Sequence, residues 1–207
     1  MRQRIITLLV AVTALAIPGF TAASVAQGTD SDHEREIRTL LDQRDREIKA
    51  LLQNKETLTA EENERLKTMI NSIIDFEAMA RTALGAHWSD LTPDQRREFV
   101  DVFSEIVRAQ SLSNLDVYRT TVAYDRIDVN GSSAQVATSV RYKDVPTRVE
   151  YTMSLRDGAW RVDDVAIDGV SSAEGYARSF QPVVKKRGFD SLMASLRKKR
   201  DQVAANS

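Results

Sequence analysis

The chain contains no cysteine among its 207 residues. That excludes disulfides, thiolate metal sites and an N-terminal lipidation box. Histidine is scarce, with only His33 and His87, so a transition-metal site would need carboxylates and would be unusual. An excess of one charge is also missing. The 29 Lys and Arg against 30 Asp and Glu leave a formal charge of −1, which gives nucleic acid no electrostatic footprint to bind. No Gly-rich phosphate loop, nucleophile elbow or zinc-ligand spacing occurs. What remains is 42% hydrophobic and 29% charged, the balance of an ordinary globular protein. The length suits one domain with a real core and small additions.

The first residues read as targeting rather than structure. Arg2 and Arg4 form a short positive region, and Ile5 to Ile17 form an apolar one. Pro18-Gly19 breaks that run, and Ser24-Val25-Ala26 is a small-x-small cleavage site before Gln27. The apolar run falls short of the roughly 20 residues a membrane-spanning helix needs. The expectation is a signal peptide over residues 1–26, cleaved to leave a single domain over 27–207. Losing Arg2 and Arg4 removes two positive charges and takes the formal charge from −1 to −3. The mature protein is then expected to be soluble and exported, to the periplasm in a Gram-negative cell, with no stable membrane insertion.

Gln27 to Asp32 is small and polar and reads as an unstructured new N-terminus. Beyond it the apolar residues recur at helical spacing. Ile37, Leu40, Leu41, Ile48, Leu51 and Leu52 mark a first helix. Thr59 with Glu62 is a capping box that opens a second, carrying Leu66, Met69, Ile70, Ile73 and Ile74. Asp75 caps a third with Phe76, Met79, Ala80 and Leu84, and Gly85 ends it. Thr92-Pro93 with Gln95 opens a fourth, with Phe99, Phe103, Ile106 and Val107 on its stripe. That helix is expected to run to about Tyr118.

The period then changes to two. Val122 to Val129 reads as a strand closed by Asn130-Gly131. Val136, Val140 and Tyr142 line one side of the next. Val149, Tyr151, Met153 and Leu155 alternate with polar residues in the clearest strand of the chain. Asp144-Val145-Pro146 reads as a loose turn before that strand, and Asp157-Gly158 as a tight hairpin after it, leading to Trp160 and Val162. Four strands with short connections predict an antiparallel meander with one apolar face, which the helices must cover. Parity breaks twice. Trp160 and Val162 fall on one face and Val165 and Ile167 on the other, as do Val122 and Tyr124 against Ile127 and Val129. One extra residue at each break is a β-bulge that bends its strand. A bent sheet roofed by helices can hold a cavity, although the same stripes also suit a filled core.

Chemistry-bearing residues are few. Asp163-Asp164 could be paired carboxylates for acid–base work, but a bulge residue and a turn anchor explain them better. His87 and Trp88 after Gly85 read as a turn residue and a core residue. Lys185-Lys186-Arg187 and Arg197-Lys198-Lys199-Arg200 read as charges placed near helix C-termini; contact with an anionic surface is the alternative.

Three blocks of residues together resemble the MlaC family of periplasmic phospholipid carriers, also called toluene-tolerance auxiliary proteins. The first runs from Ile74-Asp75-Phe76 through Met79-Ala80-Arg81 and Leu84-Gly85 to His87-Trp88. The second is Leu91-Thr92-Pro93-Asp94-Gln95-Arg96 with Phe99, Phe103 and the Leu115 to Tyr118 segment. The third takes in Tyr151, Asp157-Gly158-Ala159-Trp160, Asp164-Val165, Ile167, Gly169-Val170-Ser171, Tyr176, Phe180, Gly188 and Leu196. The resemblance spans about Ile37 to Lys199. There are departures from the family pattern. Tyr176 is followed by Ala177, with Arg178 one place late. Ser111 stands where an aromatic is frequent, and Ser172-Ala173 where large apolar residues are common.

The resemblance implies an α+β fold, a bent four-stranded antiparallel sheet covered by N-terminal helices and a C-terminal helix, with an apolar cavity between. It implies a shuttle that holds the acyl tails of a phospholipid and exchanges it between an outer-membrane lipoprotein complex and an inner-membrane ABC transporter complex with its substrate-binding subunit. This would maintain outer-membrane lipid asymmetry. The pocket wall is then expected from Val149, Tyr151, Met153, Leu155 and Trp160. The roof is expected from Phe76, Met79, Trp88, Phe99, Phe103, Tyr176 and Phe180. No catalytic residue, metal or cofactor is assigned; the phospholipid is cargo. The alternative is a secreted structural or adaptor protein of the same fold with a filled core.

Overall fold

A computed structural model of the protein describes residues 29–112 and 115–205. The signal peptide expected over residues 1–26 lies outside them. The helices begin where their caps dictate. Helix α1 (Asp30–Leu52) starts inside the segment expected to be unstructured. Thr29 Oγ1 accepts from the Asp32 backbone N–H at 3.2 Å, and Asp32 returns the bond to the Thr29 N–H at 3.1 Å. Asp32 thus completes a capping box usually closed by Glu or Gln. Helix α2 (Ala60–Asn71) carries the Thr59–Glu62 box, and α4 (Pro93–Ser111) the Thr92–Gln95 box with Pro93 in its first turn. Helix α3 (Phe76–Leu84) is capped by Asp75, and a 3₁₀ turn over Gly85–Trp88 follows it.

Helix α4 stops at Ser111, short of the expected Tyr118, and a separate 3₁₀ turn spans Leu115–Arg119. Side chains take over the carbonyls at the helix end. Ser111 Oγ donates to the Arg108 carbonyl at 2.7 Å, and the Tyr118 hydroxyl donates to the Ser111 carbonyl at 3.0 Å. Those carbonyls no longer need further helical N–H groups.

The sheet is an antiparallel meander in the order β1 (Val122–Asn130), β2 (Ser133–Tyr142), β3 (Val145–Arg156), β4 (Ala159–Ile167), β5 (Val170–Ser171). It has five strands rather than four, because the chain reverses at Asp168-Gly169 and adds a two-residue strand before α5 (Ser172–Arg187). Helix α6 (Phe189–Ala205) closes the chain. Three hairpins turn on two residues that both take positive φ: Lys143-Asp144, Asp157-Gly158 and Asp168-Gly169. This geometry matches the twist of the flanking strands. The first replaces the loose turn expected over Asp144–Pro146; Val145 and Pro146 instead begin β3. Pro146 pairs with Arg141 of β2 and lies beyond the reach of β4, whose pairing ends at Val149↔Ile167. Its missing N–H therefore costs the central ladder nothing.

Both parity breaks are bulges. In β1 the register passes from Tyr124↔Thr138 to Arg126↔Ala137, leaving Asp125 extra. In β4 it passes from Thr152↔Asp164 to Met153↔Val162, leaving Asp163 extra. Each extra residue restores parity, so Tyr124, Ile127, Val136, Tyr151, Met153, Trp160, Val162, Val165 and Ile167 share one face. The β4 bulge is also where the helical layer joins the sheet. Asp75 N–H donates to the Val162 carbonyl and Val162 N–H to the Ile73 carbonyl, both at 2.8 Å. Ile73 and Ile74 leave α2 to make this join, although the periodicity had placed them on that helix.

Three separate groups of buried side chains result. Helices α3–α6 enclose one around Phe99, Phe103, Leu84 and Met193. Helix α1 and the sheet enclose a second around Ile37, Val136, Met153 and Trp160. The third joins α1 and α2 through Ile48, Leu52 and Leu66, with Leu112, Leu115 and Tyr118 at its border.

Candidate functional site

The twelve residues expected to line a pocket do not meet at one place. Met79, Trp88, Phe99, Phe103, Tyr176 and Phe180 belong to the helical group. Their rings are close-packed. Phe99 stacks on Phe103 with centroids 5.5 Å apart, Phe180 stands edge-on to both, and Tyr176 meets Phe103 edge-on at 4.9 Å. Such contacts add to the burial of large rings. Trp88 is buried between the guanidinium groups of Arg81 and Arg96, at 5.2 and 5.5 Å from its ring. Phe76 is buried under the Arg108 guanidinium at 4.7 Å. Met153 and Trp160 are sealed beneath α1, with Tyr151 and Leu155 packed at the edge of that group. Val149 stands outside all three groups and is partly exposed.

The inner face of the sheet is covered along only half its length. Where β1 meets β2 and β3 meets β4, Ile127, Ala134, Val136, Met153, Trp160 and Val162 are buried beneath α1 and Ile73. Toward the other end the same face carries Tyr124, Val140, Val149, Tyr151 and Val165, all partly exposed, and then Ile167 at 51% exposure. The expected cavity corresponds to this half-open apolar face. Two surface grooves lie elsewhere. One of 490 Å³ is lined by Glu47, Leu51, Lys55, Arg65 and Met69 of the α1–α2 pair and its loop. The other, of 290 Å³, is lined by Glu77, Trp88 and the first turns of α4.

Three phenols converge where the covered and open halves meet. Burial pushes the Tyr118 hydroxyl up to about 12, with Tyr151 nearby adding to the effect. Burial also raises Tyr151, whose hydroxyl is hydrogen-bonded to that of Thr138. Thr138 is only 1% exposed and spends its own proton on the Val149 carbonyl at 2.9 Å. Tyr124 is raised by burial first and then by Asp42, to which its hydroxyl is bonded; the Arg38 guanidinium lies 4.7 Å from its ring centroid. Each phenol is therefore neutral at physiological pH and already has a partner. Neutral phenols with their hydroxyls already engaged do not suit acid–base chemistry. Sequence reasoning did not group Tyr118 and Tyr124 with Tyr151. The parity of Tyr124 with Ile127 across the bulge was the signal that could have found it.

The two carboxylates at the β4 bulge have structural partners. Asp164 accepts from the Ser171 hydroxyl at 2.5 Å and the Ala173 N–H at 2.9 Å, holding the start of α5. Asp163 accepts from Ser154 Oγ at 2.9 Å, and Arg156 bridges Asp163 and Asp75 at 3.8 and 2.9 Å. Burial raises the Asp163 carboxyl, as does the nearby Asp75. Among the described residues no group of three or more His, Asp or Glu is placed to hold a metal ion.

An antiparallel sheet with two bulges, backed by helices and half open on its apolar face, defines an α+β fold. A profile of the MlaC protein family matches residues 42–198, which is most of the chain, and the chain belongs to that family. No curated protein matches it in sequence. The fold is similar to that of a phospholipid-binding protein from Ralstonia solanacearum, solved in complex with a phospholipid. The TM-score is 0.69 at 23% identity, over 83% of this chain and 98% of that one.

Proposed function

We propose that the protein binds a phospholipid and carries it through the periplasm, between an outer-membrane lipoprotein complex and an inner-membrane ABC transporter complex. The observation that carries this reading is the half-open apolar face. A folded protein ordinarily covers such a face, and a contiguous exposed one marks a binding surface. Family membership and the phospholipid held by the Ralstonia protein support the same reading. Energetics set what the carrier must do. Each methylene left in water costs about 0.8 kcal/mol, so two ordinary acyl tails cost roughly 20 kcal/mol or more. Val140, Val149, Tyr151, Val165 and Tyr118 are the proposed tail contacts. Phe99, Phe103 and Phe180 stay in the separate, close-packed helical group. In this reading the helical half is filled core and the cargo lies on the sheet. Export by cleavage after residue 26 completes the proposal. Among the described residues no helix is long and apolar enough to cross a membrane.

The test is native mass spectrometry of the protein purified from a Gram-negative host, followed by lipid extraction. A co-purified phospholipid is expected. A protein that carries no lipid and takes none up from vesicles would sink the proposal.

A further inference from the structure

The last two helices carry a charge balance unlike the rest of the chain. Over residues 172–205 eight Lys and Arg stand against three Asp and Glu, a net charge of +5. Residues 27–171 hold 19 against 27, a net charge of −8. Such asymmetry between segments points to a charged partner. Placement near a helix C-terminus, where the dipole favours cations, explains Lys185-Lys186-Arg187 in the last turn of α5. It does not explain Arg197-Lys198-Lys199-Arg200, because α6 runs on to Ala205 and has no basic residue in its last turn. Two of these four hold α6 to α4: Arg197 pairs with Glu98, and Arg200 with Glu105 at 3.7 Å. Lys198 and Lys199 are exposed, as are Lys185, Lys186 and Arg187. None of these five has an anionic partner among the described residues.

We infer that the outer face of α5 and α6 docks on an acidic protein surface of a membrane complex that exchanges cargo with this carrier. The inference rests on the carrier reading above and gives the chemistry of the partner. Three observations favour a protein over a bilayer. The exposed large hydrophobic residues, Val117, Val145, Ile167 and Val170, all lie outside these helices, so this face has nothing to insert among lipids. The cations form two groups. Lys199 stands ten residues beyond Phe189, about 15 Å along α6 from the corner where α5 ends, which exceeds the screening length of about 8 Å. Two groups at a set spacing suit counter-charges fixed on a folded surface better than mobile lipids. The net −8 of residues 27–171 disfavours a broad anionic sheet, whereas a compact acidic patch meets only the cationic helices. Helix α5 starts beside β5, and its basic end lies about 20 Å further on. Docking there leaves the open apolar face of the sheet free for exchange.

The test measures association of the mature protein with the outer-membrane lipoprotein complex and the inner-membrane ABC transporter complex of the same cell. Each complex is held in nanodiscs of zwitterionic phosphatidylcholine. Lys198→Glu with Lys199→Glu, and Lys185→Glu with Lys186→Glu, are each expected to slow association with one complex or both about tenfold or more. Raised salt should slow the wild type likewise. Arg46→Glu with Arg65→Glu alters two exposed cations without ion pairs on α1 and α2. It changes the net charge equally and should leave the rate near wild type. Unchanged association in both α5–α6 variants, equal slowing in the control, or no binding of wild type to either complex each overturns the inference. Equally tight, salt-sensitive binding to protein-free phosphatidylglycerol vesicles also overturns it and gives the surface to a bilayer. Native mass spectrometry of the same samples separates this failure from failure of the carrier reading. A lipid-loaded protein with unchanged association fails the docking inference alone, and a lipid-free wild type fails the carrier reading.

Discussion

The Ala173 N–H donates to Asp164 Oδ1 at 2.9 Å, so the residue just past the β4 bulge holds the first turn of α5. Ser171 reinforces it by accepting from the Glu174 N–H at 3.0 Å. Replacing Asp164 with Ala leaves a partly buried N–H and a hydroxyl without their acceptor. The expected loss is about 1–3 kcal/mol of stability, read from the midpoint shift in urea. Ser171→Ala should cost about 1 kcal/mol. Equal stability of Asp164→Ala and wild type would refute the anchoring role.

Gly85 ends α3 at φ +55°, and a Cβ there would sit 2.7 Å from Gln181 Nε2 of α5. Two costs combine in Gly85→Ala: left-handed backbone strain of about 1–2 kcal/mol and displacement of Gln181. Gln181→Ala in the same chain should recover the second cost and not the first. A thermal-melt double-mutant cycle measures the split.

A carboxylate on the sheet separates the core from the proposed cargo face. Met153→Asp buries an unpaired charge beneath α1 and should leave the protein unfolded by circular dichroism. Val149→Asp, on the partly exposed half, should keep the native spectrum and lose lipid uptake from vesicles. Unfolding in both variants would return the whole face to the core.

The β4 bulge also predicts a pH effect. Asp163 is held above its ordinary value of 3.8, chiefly by burial. The native state therefore keeps this proton more tightly than the unfolded state. Its contribution to stability falls as pH rises from 3.8 through the raised native value. Asp163→Asn keeps an acceptor for Ser154 and removes that slope. The variant should melt higher than wild type at neutral pH, and the difference should vanish below the window. A constant difference across pH would contradict this assignment.

Local rules made much of this fold legible. Capping boxes placed the starts of α2 and α4 at Thr59 and Thr92, and parity located both bulges. The turn at Lys143-Asp144 was hidden because lysine rarely takes positive φ; Asp157-Gly158 announces its turn openly. The end of α4 depends on the Tyr118 hydroxyl reaching back to Ser111, a contact no periodicity encodes. The site was the least legible part. A helical stripe shows that Phe99 or Met79 is buried, but not whether a helix or the sheet lies opposite. Alternation on β3 treats Met153 and Val149 alike, and only the placement of α1 separates them.

The bulges at Asp125 and Asp163 also constrain how this chain can change length. Deleting Asp125 or Asp163 leaves the pairs on either side in place, because Arg126 already opposes Ala137 next to Tyr124↔Thr138, and Asp164 already opposes Thr152 next to Met153↔Val162. Val165 and Ile167 would stay on the inner face, and the strand would lose only its local bend. A residue added or removed in a regular stretch such as 151–155 would instead turn every side chain beyond it to the other face. Relatives of this protein should therefore vary by single residues at the two bulges and in the hairpin loops, and by even steps elsewhere in the strands.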